Sequence, residues 1–281
     1  MRANPRDLLR QGEIVLKERK IENFRFDAFC IHHKHFSMSR AELLLAKEQE
    51  LSEDAVLAFW QDIRARGDHK PLQHLLGKWE FMGLEFMVSP NVLIPRAETE
   101  WLVEYAKEHY AGRPIKVLDL CTGSGCIGIS LKKLLPEAQV TLLDISDPAL
   151  LIAKENAAAL EAEVRIEKWD LLQGVPFFME KERYDLILSN PPYIKTADLP
   201  ALQPEVQQEP QIALDGGDDG LIYYHALAEQ WSALLKEGGE MVLEAGEDTA
   251  EGVAKILEET MSEVGLYRDL AELPRYVVGK K

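Results

Sequence analysis

Apolar positions in the first 80 or so residues recur at helical spacing, in short runs opened by capping residues. Asn4 before Pro5 pairs a good N-cap with proline at the first helical position. Ser39 to Glu42 ("SRAE") spells a capping box opening "LLLAKEQEL", and Ser52, followed by Glu53 and Asp54, caps "AVLAFWQDIRAR". These signals predict a small helical bundle over residues 1–80. The pattern changes at "GKWEFMGLEFMVSPNVLIPR", where alternation about Gly83 and a turn at Pro90-Asn91 predict a β-hairpin linker, placed at 81–100. From 101 to 281, apolar and nearly continuous strand runs ("IKVLDL", "QVTLLDI", "EVRIEKWDL", "RYDLILSN", "GEMVLEA", "RYVVGKK") alternate with helical segments ("CIGISLKKLL", "PALLIAKENAAAL", "YYHALAEQWSALL", "AEGVAKILEETM"). Strands that are apolar on both faces need helices on both sides, so the expected class is α/β with a doubly wound parallel sheet.

Composition narrows the partners. The chain has 281 residues, 46% of them hydrophobic and 28% charged, with a formal net charge of −16. A surface that binds nucleic acid generally is basic, so this balance counts against DNA or RNA as the main partner. Cys30, Cys121 and Cys126 form no Cys-x-x-Cys pair, and their odd number suggests neither a disulfide framework nor a zinc site. No secretory signal and no membrane-length apolar run is evident, so a reducing cytoplasm is the expected location.

The stretch "VLDLCTGSGCIGIS" sets a strand, a glycine-rich turn and a helix in order. Gly123, Gly125 and Gly128 match G-x-G-x-x-G, which lets backbone approach a nucleotide at the carboxyl edge of a sheet. Asp144, 25 residues beyond Asp119, ends the next strand, where a carboxylate can take both ribose hydroxyls. The turn therefore predicts a nucleoside ligand, and a dinucleotide satisfies the pattern too. Asp119, four residues before the first glycine, would repel a pyrophosphate and tolerate a cationic sulfonium.

"YDLILS" then ends in Asn190-Pro191-Pro192-Tyr193. The prolines have fixed φ and no N–H, so this strand end offers carbonyl acceptors on a rigid frame. With the Asn190 side-chain oxygen it can receive a planar –NH2 group, and Tyr193 can add an aromatic wall. Such a pocket would aim a nitrogen at a methyl donor, where in-line positioning matters more than a strong base. Chemistry alone leaves a carboxamide and an adenine both open as its occupant.

"VLDLCTGSGCIGIS", "VTLLDISDPALLIAKENA", "YDLILSNPPYI" and "EPQIALDGGDDGLIYY" together resemble the HemK/PrmC family, protein-glutamine N5-methyltransferases acting on peptide chain release factors. "PLQHLLGKWEFMGLEFMVSPNVLIPRAETEWLVE" resembles the family's linker hairpin, so the likeness runs from about residue 60 to the end. Asn-Pro-Pro-Tyr alone is shared with adenine-N6 methyltransferases. The resemblance implies a class I (Rossmann-like) methyltransferase domain using S-adenosylmethionine, with the glutamine of a Gly-Gly-Gln loop in class I release factors as its substrate. It implies that Asn190 and the Pro191 carbonyl bind the glutamine amide, while Pro192 and Tyr193 shape the pocket. Asp119, the turn Cys121-Thr122-Gly123-Ser124-Gly125, Asp144 and Asn190 would serve the cofactor, with Asp170 or Leu171 near the adenine. Cys121 stands where the family usually has glycine, Ala97 where "IPRP" is usual, and Trp169 precedes Asp170 where the family often has an aromatic residue after it.

The N-terminal bundle is expected to recognise the body of the release factor. Neither a stable nucleic-acid partner nor a membrane is expected, and a monomer is. The alternatives are an adenine-N6 methyltransferase acting on DNA or RNA, and a non-catalytic nucleoside-binding adaptor, against which the intact Asn-Pro-Pro-Tyr argues. "HHKH" (His32 to His35) reads as an exposed loop between helices, lacking paired carboxylate or cysteine ligands. "DGGDDG" (Asp215 to Gly220) reads as turn chemistry, with no glutamate at the twelfth position of a calcium loop. Arg96, Glu98 and Glu100 either hold the linker, help form the cofactor site, or are solvated charges.

Overall fold

The computed structural model describes residues 2–281. They fall into two compact units, one running to Lys78 and taking in Gln203–Gln208, the other Trp79–Leu202 with Glu209–Lys281.

The first unit is helical: α1 (Pro5–Glu18), α2 (Phe24–Phe36), α3 (Arg40–Leu45), α4 (Glu53–Gly67) and α5 (Leu72–Leu76), with a two-residue ladder of β1 (Arg2–Ala3) and β2 (Gln49–Glu50). The sequence caps do their work. Asn4 accepts from Arg6 N at 3.0 Å, Ser39 and Glu42 form the reciprocal box, and Ser52 accepts from Ala55 N at 3.4 Å. α3 stops at Leu45, immediately before "AKEQEL". Leu16, Ile31, Phe59 and Ile63 form the core, and a Cβ on Gly12 would lie 2.8 Å from the Phe59 ring. The "HHKH" stretch is not an exposed loop. It forms the last turns of α2, with His32 fully buried against Phe36 and Phe59. Burial pushes that imidazole down to about 4, so it is neutral packing at physiological pH. Gln203–Gln208 is held in this unit by Glu205, which accepts from Arg66 at 2.9 Å, while Arg66 also donates to Asp27 at 2.6 Å.

The second unit opens with β3 (Lys78–Phe81) and β4 (Leu84–Met87), joined at Met82 and Gly83. Both turn residues have positive φ, +53° and +71°, matching the right-handed twist of a tight hairpin. Then follow α6 (Glu100–Tyr110), β5 (Lys116–Leu120), α7 (Cys126–Leu134), β6 (Gln139–Asp144), α8 (Asp147–Ala159), β7 (Arg165–Lys168), β8 (Tyr184–Ser189), α9 (Ile222–Glu229), β9 (Leu235–Glu244), α10 (Ala250–Glu258), β10 (Glu263–Arg268) and β11 (Pro274–Lys280). Seven strands form one sheet in the order β10-β11-β9-β8-β5-β6-β7. Successive residues of β5 point to opposite apolar clusters: Val117 joins Leu142, Leu186 and Val242 on one face, Leu118 joins Leu143, Ile187 and Met241 on the other.

Three features of this unit depart from the sequence reading. β11 is antiparallel to both neighbours, because the short turn at Asp269–Leu273 leaves no room for the crossover a parallel pair needs. β10 goes unpredicted because it is an edge strand with little buried surface. "YYHALAEQWSALL" also divides, α9 ending at Glu229 before a 3₁₀ turn that buries Trp231. Among the described residues, no helix is long and apolar enough to cross a membrane.

Candidate active site

β5 pairs with β6 on one side and β8 on the other, so the chain reverses its winding there. Ligands of open α/β sheets bind outside the strand carboxyl ends at such a point. A cleft opens there, lined by residues that end or follow β5 (Cys121, Gly123), β6 (Asp144, Ile145, Ser146), β7 (Trp169 to Leu172) and β8 (Asn190, Pro192).

The glycine-rich turn is shaped from below by Asp119. Its carboxyl is fully buried, accepting from Thr122 Oγ1 at 2.5 Å and from Gly128 N at 3.0 Å. Burial outweighs those bonds and pushes its pKa up to about 7. Asp119 does not line the cleft, so the sequence expectation of a carboxylate facing the ligand changes to one supporting the turn. Thr122, Ser124 and Gly125 likewise stay behind the wall. Gly125, at φ +82°, starts α7, and Asn156 donates to Ser124 O at 2.9 Å. Asn156 also exchanges two hydrogen bonds with Met87, at 2.7 and 3.1 Å, tying β4 and α8 to the turn. Cys121 lines the cleft at φ +59°, a left-handed conformation that explains why glycine is usual there.

Asp144 faces the cleft with each oxygen already holding one backbone N–H, from Gly123 at 2.8 Å and Ser146 at 2.9 Å. Burial still raises its pKa above the usual carboxylate range. A lone pair remains on each oxygen for a ligand hydroxyl. After β7, Trp169 is fixed by donating to Gly174 O at 2.7 Å, and Asp170 caps the turn Leu171–Gln173. Trp169, Asp170 and Leu171 all line the cleft. Beyond Gly123 the space where a Cβ would stand is open, as close approach of a ligand requires. These residues fit S-adenosylmethionine: a carboxylate for the ribose, an indole and leucines for the base, and bare backbone at the glycine.

Asn190 and Pro192 form the far wall, while Pro191 is buried and does not line it. Ser189 donates to Leu120 O at 2.7 Å, joining the ends of β8 and β5 beneath the corner. Tyr193 packs back into the core, with its phenol pushed up to about 12 by burial, so it does not provide the expected wall. The cleft's aromatic rings belong to Trp169 and Tyr223. The "DGGDDG" segment clamps the corner: Ile194 N donates to Leu214 O at 2.9 Å and Gly216 N to Ile194 O at 2.8 Å. Arg96 pairs with buried Glu209, Glu100 accepts from Met82 N at 2.6 Å, and Glu98 O accepts from the Tyr276 hydroxyl at 2.7 Å. Arg96 and Glu100 hold the linker through their side chains, Glu98 through its backbone alone.

Sequence reasoning missed Asn91, Val92 and Leu93 beyond the hairpin turn, Ile212, Ala213 and Tyr223 in the later loops, and the polar pair Thr99 and Glu244 behind Asn190. Glu244 had a signal, since like Asp144 it is a carboxylate ending a buried strand.

The sheet order, glycine-rich turn and switch-point cleft define a class I S-adenosylmethionine-dependent methyltransferase. Residues 97–218 match the family model "Methyltransferase small domain", and residues 7–77 match "PrmC N-terminal domain". The release factor glutamine methyltransferase of Moorella thermoacetica is 41% identical, covering 91% of this chain and 89% of its own. That of Clostridium acetobutylicum is 36% identical, covering 97% of each. The chain belongs to the release factor glutamine methyltransferase family. Solved folds agree: a Pyrococcus furiosus methyltransferase has TM-score 0.54 at 18% identity, covering 71% of this chain and 90% of its own. The T. thermophilus 16S rRNA N2 G1207 methyltransferase has TM-score 0.53 at 19% identity, covering 73% and 49%.

Proposed function

We propose that this enzyme methylates the side-chain nitrogen N5 of the glutamine in the Gly-Gly-Gln motif of class I release factors. S-adenosylmethionine, when bound, supplies an electrophilic sulfonium methyl. Asp144 holds the ribose, and Trp169, Asp170 and Leu171 enclose the base. Asn190 Oδ1 accepts an N–H bond of the glutamine amide, while Pro191, Pro192 and Tyr193 keep that corner rigid. A carboxamide nitrogen is a poor nucleophile, so acceptors that strengthen as positive charge develops on it favour the transition state. The observation that carries this reading is Asn190 facing the cleft at the switch point, its nitrogen turned away to Thr99 at 3.1 Å.

The enzyme acts in the cytoplasm as a monomer without stable nucleic-acid binding, in keeping with its charge of −16. Residues 1–80 recognise the body of the release factor, and residues 101–281 carry the chemistry, with 81–100 between them. Exposed Leu44 and Leu45 on α3 offer the helical unit a contact surface. Incubation with methyl-labelled S-adenosylmethionine, a release factor and either DNA or RNA tests the substrate: label goes to the factor, and label confined to nucleic acid would favour adenine methylation instead. Leu45→Asp should raise KM for the whole factor and leave KM for a short Gly-Gly-Gln peptide unchanged. An unchanged KM for both would remove the role given to the helical unit.

A further inference from the structure

Behind Asn190 lies a second polar layer that does not reach the cleft. Thr99 and Glu244 are only 3% and 1% exposed. Asn190 Nδ2 donates to Thr99 Oγ1 at 3.1 Å, and the Thr99 hydroxyl lies close enough to the Glu244 carboxyl to favour its ionised form. Glu244 Oε2 has no hydrogen-bond partner among the described residues, so the buried carboxyl is open to the Thr99 proton.

Proton counting fixes the direction of this chain. An ionised carboxylate only accepts, and a hydroxyl has one proton to give. With that proton committed to Glu244, the Thr99 oxygen offers Asn190 lone pairs alone. An acceptor at that place admits the –NH2 end of a carboxamide and repels its carbonyl end. The Asn190 carbonyl oxygen must then face the cleft.

We propose that Thr99 and Glu244 are positioning residues that lock the amide orientation of Asn190, so that an acceptor and not a donor meets the glutamine –NH2. The proposal rests on the reading of Asn190 as the amide-binding residue. It makes the protonation of Glu244 consequential. A protonated Glu244 can donate to Thr99, freeing the hydroxyl proton to point at Asn190. The amide then turns over and presents –NH2 to the substrate's own –NH2, donor against donor.

The surroundings put that event near neutrality. Burial pushes Glu244 up to about 7, aided by Glu98 of the linker and opposed by the Thr99 bond, Arg275 of β11 and Arg96 of the linker. The remaining titratable groups around it are the phenols of Tyr193, Tyr224 and Tyr276 and the thiol of Cys126, all of which burial keeps protonated. Because its pKa is raised, Glu244 is ionised above pH ~7 and protonated below, so turnover falls on the acid side.

The experiment measures kcat and KM for a release factor from pH 5.5 to 9, with S-adenosylmethionine affinity by calorimetry, for four variants. Thr99→Val should lower kcat by about 10²-fold while cofactor affinity holds, the size of effect expected when one preorganised contact is lost. Thr99→Ser keeps the hydroxyl and should restore most of the rate. Glu244→Gln cannot titrate, so it should flatten the acid limb of kcat that the wild type shows. Because Asp119 also titrates near 7, persistence of that limb in Glu244→Gln would overturn the assignment to Glu244. Wild-type kcat in Thr99→Val alongside an inactive Asn190→Ala would overturn the positioning role alone. An active Asn190→Ala would instead overturn the underlying reading of the corner. Should valine at 99 prevent folding, the serine variant and the two pH profiles still decide.

Discussion

Replacing Gly216 with alanine would strain the Asn190-Pro191-Pro192-Tyr193 corner without altering any residue that lines the cleft. A Cβ at 216 would stand 2.7 Å from Tyr193 Cα and 2.9 Å from both the Pro192 carbonyl oxygen and Tyr193 C. All three are backbone atoms, so no rotamer change relieves the clash. Ordinary contact begins near 3.4 Å, so the corner must move by about 0.5–0.7 Å or push the clamp away. Because misplacing reacting groups by ~1 Å can cost ~10²-fold, a loss of about tenfold or more in kcat is expected. Gly217→Ala is the matched control. It sits at φ +87° with its nearest neighbour, Ile222, at 3.4 Å, so it costs about 1 kcal/mol of backbone strain but displaces nothing. Steady-state methyl transfer, thermal melting and cofactor calorimetry on both variants make the comparison. The reasoning fails if Gly216→Ala turns over as fast as Gly217→Ala, since the clamp would then not set the position of the corner.

Asn156→Ala removes three hydrogen bonds to Met87 and Ser124 inside the fold, so urea denaturation should show a loss of about 2–4 kcal/mol, with weaker cofactor binding because the glycine-rich turn loses its brace. Cys121→Val forces a β-branched side chain into φ +59°; about 2 kcal/mol or more of stability should go, and an unchanged urea midpoint would argue against a left-handed backbone there. Asp119, raised from 3.8 to about 7, keeps in the folded state a proton that the unfolded chain gives up near pH 4. Its contribution to stability is therefore complete below pH ~4, declines as pH rises to ~7 and is gone above. The fall in urea midpoint between pH 4 and 7 should be shallower in Asp119→Asn, and parallel profiles would contradict the assignment.

The strands of the parallel core were legible because burial on both faces leaves near-continuous apolar runs, as in "VLDL" and "DLILS". Edge strand β10 lacked that signal, and its pairing with β11 depends on the short turn between them. The cleft's strand-end residues could be placed because a doubly wound sheet brings the ends of β5, β6, β7 and β8 to one edge. Orientation was not legible. Asp119 and Asp144 both belong to strand ends, yet one carboxyl turns under the turn and the other toward the cleft, a difference set by Thr122, Gly128 and Gly123. Tyr193 read as a wall because aromatic rings suit flat ligands; the apolar core behind the corner takes it instead. Contacts between distant segments, such as Thr99 behind Asn190 or Asn156 bridging Met87 and Ser124, have no local sequence signature.

Delivery of a methyl group to a glutamine side-chain nitrogen held by Asn190 is tested most directly by tandem mass spectrometry of a release factor incubated with deuteromethyl S-adenosylmethionine. The label is expected on the amide nitrogen of the Gly-Gly-Gln glutamine with wild-type enzyme and is expected to be absent with Asn190→Ala. Label on any other residue, or an undiminished signal with Asn190→Ala, would contradict it.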